Sequence, residues 1–268
     1  MNTVSAPLDK LNPMVDSRVF IGETLDFEIL KFLGVFVLKN PFSKKILDFY
    51  ISAYFKDKAI LERQPHHLTL VNTVHDHDLN KILLEPEITK IVSGFFDGNV
   101  GSDYVNIFRK DEHDTKPVFL HQDSSYLLGN FEKYSLFISL TECYKENGGL
   151  VVYPGTHHYG HLGDAGDIDA DILPSGYPKI EVDTNPGDIL IMHSAIWHES
   201  PENIDLTERV YLEMKIRDAN DSSTKNVICG HRVSEWSNTL AIDSIFKNSR
   251  TQRLRDLYQQ IKKIGLTL

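Results

Sequence analysis

The stretch Asn185-Pro186-Gly187-Asp188-Ile189-Leu190-Ile191-Met192 sets a tight turn directly against an unbroken apolar run. Proline fixes φ inside the turn and glycine permits positive φ, so the chain reverses and enters a buried strand over Asp188–Met192. The same texture recurs on both sides. Short β-type runs cover Tyr104–Phe108, Val118–His121, Tyr134–Thr141, Leu150–Tyr153, Ile180–Val182 and Arg209–Ile216. Turns such as Asn147-Gly148-Gly149 separate them, without the intervening helices that a parallel βαβ sheet requires. This pattern predicts a mainly β fold, an antiparallel sandwich or barrel.

Helices flank it on the N-terminal side. Phe27, Leu30, Lys31 and Phe32 before Gly34 read as a short helix with a glycine stop, and Val35–Leu38 as a buried strand. Ser43 caps a longer helix with the stripe Ile46, Leu47, Tyr50, Ile51 and Tyr54. A helix or broken pair spans 78–95, capped by Asp78, with Pro86 in a first turn. Leu254, Leu257, Ile261 and Ile264 before Gly265 predict a last amphipathic helix over 250–264. Residues 1–20, with Pro7 and Pro13 and no apolar period, read as an irregular leader or strap.

The 268 residues suffice for one domain, 1–268, with a core that needs no disulfide. No apolar run approaches the roughly 18 residues of a membrane span. The net charge of −10, with scattered basic residues, repels phosphate backbones, so nucleic acid is not an expected partner. Cys143 and Cys229 lie far apart, which suits free thiols in a reducing compartment. With no secretory signal visible at the start, a cytoplasmic location is expected. Nothing in the sequence fixes an oligomeric state.

The chemistry concentrates at Phe119-Leu120-His121-Gln122-Asp123, where residues two apart on an extended segment bring an imidazole and a carboxylate to one side. His198 follows far downstream. Two neutral imidazoles and one carboxylate on one face of a metal leave the opposite positions open, as in non-haem Fe(II) oxygenases, whereas zinc prefers a closed tetrahedron. Arg209 opens the next strand, and its planar fork suits a carboxylate.

In order, His121, Asp123, the run Asn147 to His157, the run Pro186 to His193, then His198 and an arginine eleven positions on, resemble the phytanoyl-CoA dioxygenase-like family of Fe(II)- and 2-oxoglutarate-dependent oxygenases. The likeness covers about residues 25–217. It leaves 1–24 as an N-terminal strap and 218–268 as a C-terminal helical extension. The resemblance implies a double-stranded β-helix, a jelly-roll or cupin-like core of two antiparallel sheets flanked by helices. It makes His121, Asp123 and His198 the iron ligands and Arg209 the partner of the far carboxylate of 2-oxoglutarate. Ser200 would support that carboxylate, and Asn106 and Thr141 are further cosubstrate contacts. Fe(II), 2-oxoglutarate and O2 are then the cofactor and cosubstrates. Hydroxylation is the default outcome; desaturation, epimerisation and ring closure draw on the same chemistry, while the intact Asp123 speaks against halogenation. The alternatives are a non-catalytic jelly-roll binding or regulatory protein and a cupin-type metalloenzyme without 2-oxoglutarate.

Other features have plainer readings. His75-Asp76-His77-Asp78 reads as a solvated loop ending in a helix cap, and His66-His67 as an exposed loop. His157, first of the group His157, His158 and His161, takes a structural or supporting role. Asp164, Asp167, Asp169 and Asp171 occupy a long segment, 160–178, which is a lid or a disordered loop. An acidic lid favours a small polar or cationic substrate over a fatty acyl-CoA. Trp197 and Trp236 read as packing residues. One tension remains: Arg209–Ile216 alternates polar with apolar residues, which turns Arg209 outward, whereas the family likeness turns it inward.

Overall fold

Two sheets form from the turn-separated runs in a computed structural model that describes residues 8–61, 68–70, 78–126, 130–162, 166–221, 223–232, 255, 256 and 259. The strands are β1 (Ile21–Gly22), β2 (Val35–Leu38), β3 (Leu68–Leu70), β4 (Val100–Lys110), β5 (Val118–His121), β6 (Lys133–Ser139), β7 (Val151–Tyr153), β8 (Ile180–Glu181), β9 (Ile189–His193), β10 (Trp197–Ser200), β11 (Arg209–Asp218) and β12 (Asn226–Cys229). The larger sheet runs β1-β2-β9-β6-β11-β4-β12, with β3 also on β4, and the smaller runs β5-β10-β7-β8. Apart from the parallel β1–β2 pair, neighbours are antiparallel. This is the expected jelly-roll.

Alternation along the strands sorts the core into two layers. Ile189 and Ile191 of β9, with Val210, Leu212, Met214 and Ile216 of β11, pack under the helices α3 (Lys44–Leu61) and α4 (Pro86–Val92). Leu190 and Met192 of β9 point the other way, onto Val152 and Ile180 of the smaller sheet. An apolar filling therefore occupies the β2–β9 half of the sandwich. The inner face of β11 is instead Arg209, Tyr211, Glu213, Lys215 and Arg217, all buried. That settles the tension over Arg209. Both faces of β11 are covered, so its polar side is the interior of the barrel and its apolar side supports the helices.

Local signals hold for the flanking elements. Asp26 caps the helix α2 (Phe27–Leu33) by accepting from the amides of Glu28 and Ile29, and Gly34 ends it at φ 77°. Positive φ is only half of the reason for glycine there. A Cβ on Gly34 would stand 2.5 Å from Nδ1 of His157. The broken pair resolves into a 3-10 segment Asp78–Leu84 and α4, with Pro86 at its start.

Three expectations need correction. Residues 8–16 are a helix, α1 (Leu8–Asp16), with Pro13 inside it. Leu8, Leu11, Met14 and Val15 are in fact spaced by three and four, and they dock on the inter-sheet core, which outweighs the hydrogen bond that proline forfeits. After residue 217 the chain contributes strand β12 rather than helix alone. Strand β10, which carries His198, was not expected at all. The short strands β1 and β3 were not expected either; the other boundaries differ by small margins, except that β4 extends well beyond Tyr104–Phe108. The predicted helix over 250–264 falls almost wholly outside the described residues.

The opening turn is also a clamp. Asp188, fully buried, accepts from the amides of Asn185 at 2.8 Å and Asn40 at 3.1 Å and pairs with Lys39. Asp188→Ala would leave two amides without acceptors, and half-buried Lys39 would lose its partner. We expect a loss of about 2–4 kcal/mol, read as a fall in Tm of roughly 5–15 °C. A change under a few degrees would show that water replaces the carboxylate.

Candidate active site

His121 ends β5 and His198 lies on β10, and the two are direct register partners, with ring centroids 4.4 Å apart. Each ring is set the same way. Nδ1 of His121 donates to the carbonyl of Phe119 at 2.7 Å, and Nδ1 of His198 to that of Ile196 at 3.0 Å. Those bonds select the tautomer whose Nε2 lone pair is free for a metal. Both Nε2 atoms face Oδ1 of Asp123, at 3.6 and 3.7 Å. Asp123 is not on the extended segment; it starts a 3-10 turn held by the amide of Ser124 on the carbonyl of Ser194. The ligand atoms of the three residues lie within 4.8 Å of one another, and among the described residues no other trio of His, Cys, Asp or Glu does this.

Electrostatics prepare these groups for a cation. Burial alone would raise the Asp123 carboxyl, but Lys215, His121 and His198 outweigh it and hold it well below the usual range. Burial lowers His198 to about 4, with His121 adding to the effect. His121 moves the other way, because contact with Asp123 outweighs its burial. A cation would displace any proton that His121 holds, and two imidazoles with an ionised carboxylate on one face then fit a mononuclear iron site with open positions.

The depth of the barrel is cationic. Arg209 begins β11, is buried, stacks 5.0 Å from the ring of Tyr211, and its Nε has no hydrogen-bond partner. Among the described residues no carboxylate pairs with it. Directly across the sheet is Lys110, also buried, whose ammonium donates to the carbonyls of Ser200, at 3.2 Å, and Pro201. Burial and the nearby Arg209 lower Lys110 to about 7. Phe108, Phe137 and Tyr211 line the level above, with centroid separations of 5.8 and 5.7 Å. An unpaired buried guanidinium is costly unless an anion reaches it.

The secondary candidates each make a hydrogen bond within the fold. Ser200 donates its hydroxyl to Gly148 O at 2.7 Å, and the Thr141 hydroxyl accepts from the amide of Val210 at 2.8 Å. Asn106 donates to Glu213 at 2.7 Å, while its own carbonyl oxygen has no partner. His157 is buried against the turn at Gly34, bonding the carbonyl of Lys31 at 2.9 Å. His158 bonds the carbonyl of Phe32, and His161 contacts Ser124. Trp197 is buried against Tyr159, as expected of packing. His66, His67, His75, Asp76, His77, Asp164 and Trp236 lie outside the described residues, and Asp78 pairs with Lys81. Lys110, Glu213 and Lys215 escaped the sequence reading, although the strict alternation of β11 already placed a polar face on a central strand.

A jelly-roll that gathers two histidines and one carboxylate is the architecture of mononuclear non-haem iron oxygenases. Residues 46–209 match the phytanoyl-CoA dioxygenase (PhyH) family, so the chain belongs to that family of iron- and 2-oxoglutarate-dependent oxygenases. No curated protein matches it. Among solved structures, the alpha ketoglutarate dependent carbocyclase SnoK from nogalamycin biosynthesis is 20% identical, covering 80% of this chain and 89% of its own, at TM-score 0.62. The epimerase SnoN, solved with Fe3+, alpha ketoglutarate and nogalamycin RO, is 15% identical over 78% of this chain and 86% of its own, at TM-score 0.62. EctD from S. alaskensis, with 2-oxoglutarate and 5-hydroxyectoine, is 16% identical over 71% and 74%, at TM-score 0.60. At these identities the likeness is one of fold. No helix among the described residues is long and apolar enough to cross a membrane.

Proposed function

We propose that this oxygenase, a single domain acting in the cytoplasm, hydroxylates a small polar metabolite. His121, Asp123 and His198 would hold the iron and Arg209 the far carboxylate of 2-oxoglutarate. The observation that carries the reading is Arg209, a buried cation without a carboxylate partner among the described residues, in a barrel whose mouth presents the two imidazoles and Asp123. A cupin-type metalloenzyme without a cosubstrate, or a binding module, leaves that guanidinium unexplained. Bound iron and 2-oxoglutarate supply the oxidising power that inserts oxygen into a substrate C–H bond, with succinate and carbon dioxide as products.

The chain's own residues do the rest. The carbonyls of Phe119 and Ile196 keep both imidazoles aimed, and Arg209 with Lys110 orients a dicarboxylate along the barrel. Phe108, Phe137 and Tyr211 exclude water from its methylene groups. The polarity of the substrate is read from the wall nearer the mouth, where the buried register partners Arg217 and Lys133 follow Glu213 and Lys215. Asp167, Asp169 and Asp171 lie in a segment tied to β5 through the amide of Ile168 on the carbonyl of Leu120, at 2.9 Å. Such surroundings favour hydroxyl- or amine-bearing molecules over a fatty acyl chain.

Mixing the protein with Fe(II) and 2-oxoglutarate without oxygen should give a visible charge-transfer band. Admitting oxygen with a metabolite extract should then produce succinate and a product heavier by one oxygen atom. Failure to see the band would end the reading. A pH effect follows from Lys110. Below about pH 7 its ammonium is charged and helps to bind a dianion; above that, binding must draw a proton from solvent. Affinity for 2-oxoglutarate should therefore fall as pH rises from 7, by up to about tenfold per unit. Calorimetry in buffers of different ionisation heat would register the proton uptake, and a flat profile would contradict it.

A further inference from the structure

Asp123 divides its two oxygens between different tasks. Oδ1 faces the imidazoles, whereas Oδ2 accepts from the Lys215 ammonium at 2.8 Å and from the Ser135 hydroxyl at 3.1 Å. Lys215 and Ser135 are register partners on β11 and β6, so both donors come from the rigid centre of the larger sheet. Lys215 is anchored in turn: its ammonium lies 3.2 Å from Oε1 of fully buried Glu213, whose Oε2 accepts from Asn106 at 2.7 Å. A lysine serving solubility would extend into water; this one is buried between two carboxylates.

We propose that Lys215, backed by Glu213 and assisted by Ser135, is a positioning residue that restricts Asp123 to ligation through Oδ1 alone. The inference rests on the iron site proposed above. Its consequence is a matter of counting. A carboxylate that binds a metal through both oxygens takes two adjacent positions of an octahedron. With two imidazoles and a chelating keto acid, none of the six would remain for dioxygen. Occupying Oδ2 with two donors on a rigid sheet keeps the third open position.

The test uses a variant that preserves the charge of the cluster, Lys215→Met with Glu213→Gln, so that any change reflects the release of Oδ2. Thermal melting establishes that it is folded, and anaerobic titrations then measure Fe(II) and 2-oxoglutarate separately. We expect Fe(II) and 2-oxoglutarate each to bind within a few-fold of wild type, the charge-transfer band to shift, and its decay on admitting oxygen to slow about tenfold, the scale typical of lost outer-sphere partners. Lys215→Arg, which keeps the donors, should restore the band. Ser135→Ala, a mild change that serves if the double variant does not fold, should move both readouts the same way by a smaller amount. An unchanged band and an unchanged rate of its decay in oxygen in the folded double variant, or in Ser135→Ala if only that folds, would overturn the proposal. Loss of iron binding itself would overturn it too, because the role assigned is to keep a position open. Wild-type protein that gives no band would instead refute the underlying reading of the site.

Discussion

Methionine in place of Arg209 should raise the Kd for 2-oxoglutarate by roughly 100-fold or more while leaving Fe(II) affinity within a few-fold. The magnitude follows from burial. Truncating one partner of a buried, hydrogen-bonded charge pair costs about 2–5 kcal/mol, and each 1.4 kcal/mol is about tenfold in Kd. Arg209 is 3% exposed and its Nε is unpaired, so the guanidinium meets its anion without surrendering a carboxylate already bound to it. The same fact gives the prediction a second, opposite arm. A buried cation that waits for a ligand burdens the free fold, and burial lowers its pKa for the same reason. Arg209→Met should therefore melt a few degrees higher than wild type when no ligand is present, and it should lose the thermal shift that 2-oxoglutarate gives the wild type. Anaerobic calorimetry and melting curves read both arms. If iron and 2-oxoglutarate affinities fell together, Arg209 would be holding the fold of the metal face and not the cosubstrate.

How far the sequence led can be judged from β10 and β11. An antiparallel sandwich or barrel was legible because its strands are short and separated by Pro-Gly and Gly-Gly turns, which are local signals, and the family resemblance narrowed it to a jelly-roll. His121, Asp123, His198 and Arg209 were legible as candidates through the ordered motifs that resemble the family, since His-x-Asp alone is common. Strand β10 was not, since Trp197-His198-Glu199-Ser200 has neither an apolar run nor a clean alternation. Its pairing with β5 and β7 is what makes it a strand. Helix α1 was hidden by Pro13, whose penalty is local whereas the docking of Leu11 is tertiary. The polar face of β11 was visible but its direction was left open, because alternation tells which residues share a side and not what covers that side. Glu213 and Lys215 belong to that face, and Lys110 lies across from it on β4: ordinary surface residues by type, made functional candidates by a second sheet overhead.

Removing the carboxylate should do the greatest damage at the metal. Asp123→Ala is expected to weaken Fe(II) binding by roughly 100-fold or more, the lower part of the 2–5 kcal/mol range for truncating a buried charged partner being enough. Protonation of the imidazoles does not account for this loss. Asp123 is what raises His121, against its burial, so removing it weakens that ring's hold on a proton and adds no competitor for the metal. Two effects remain. The anion that offsets the dication is gone, and Lys215, no longer paired with it, directs an ammonium toward the metal position. The second effect is separable by experiment. Adding Lys215→Met to Asp123→Ala should recover part of the lost affinity, whereas Lys215→Met alone has Asp123 still in place to bind. Iron titrations on the four proteins of this double-mutant cycle should thus give a non-zero coupling between positions 123 and 215. Strict additivity would mean that the 2.8 Å contact between them has no bearing on how the metal is held.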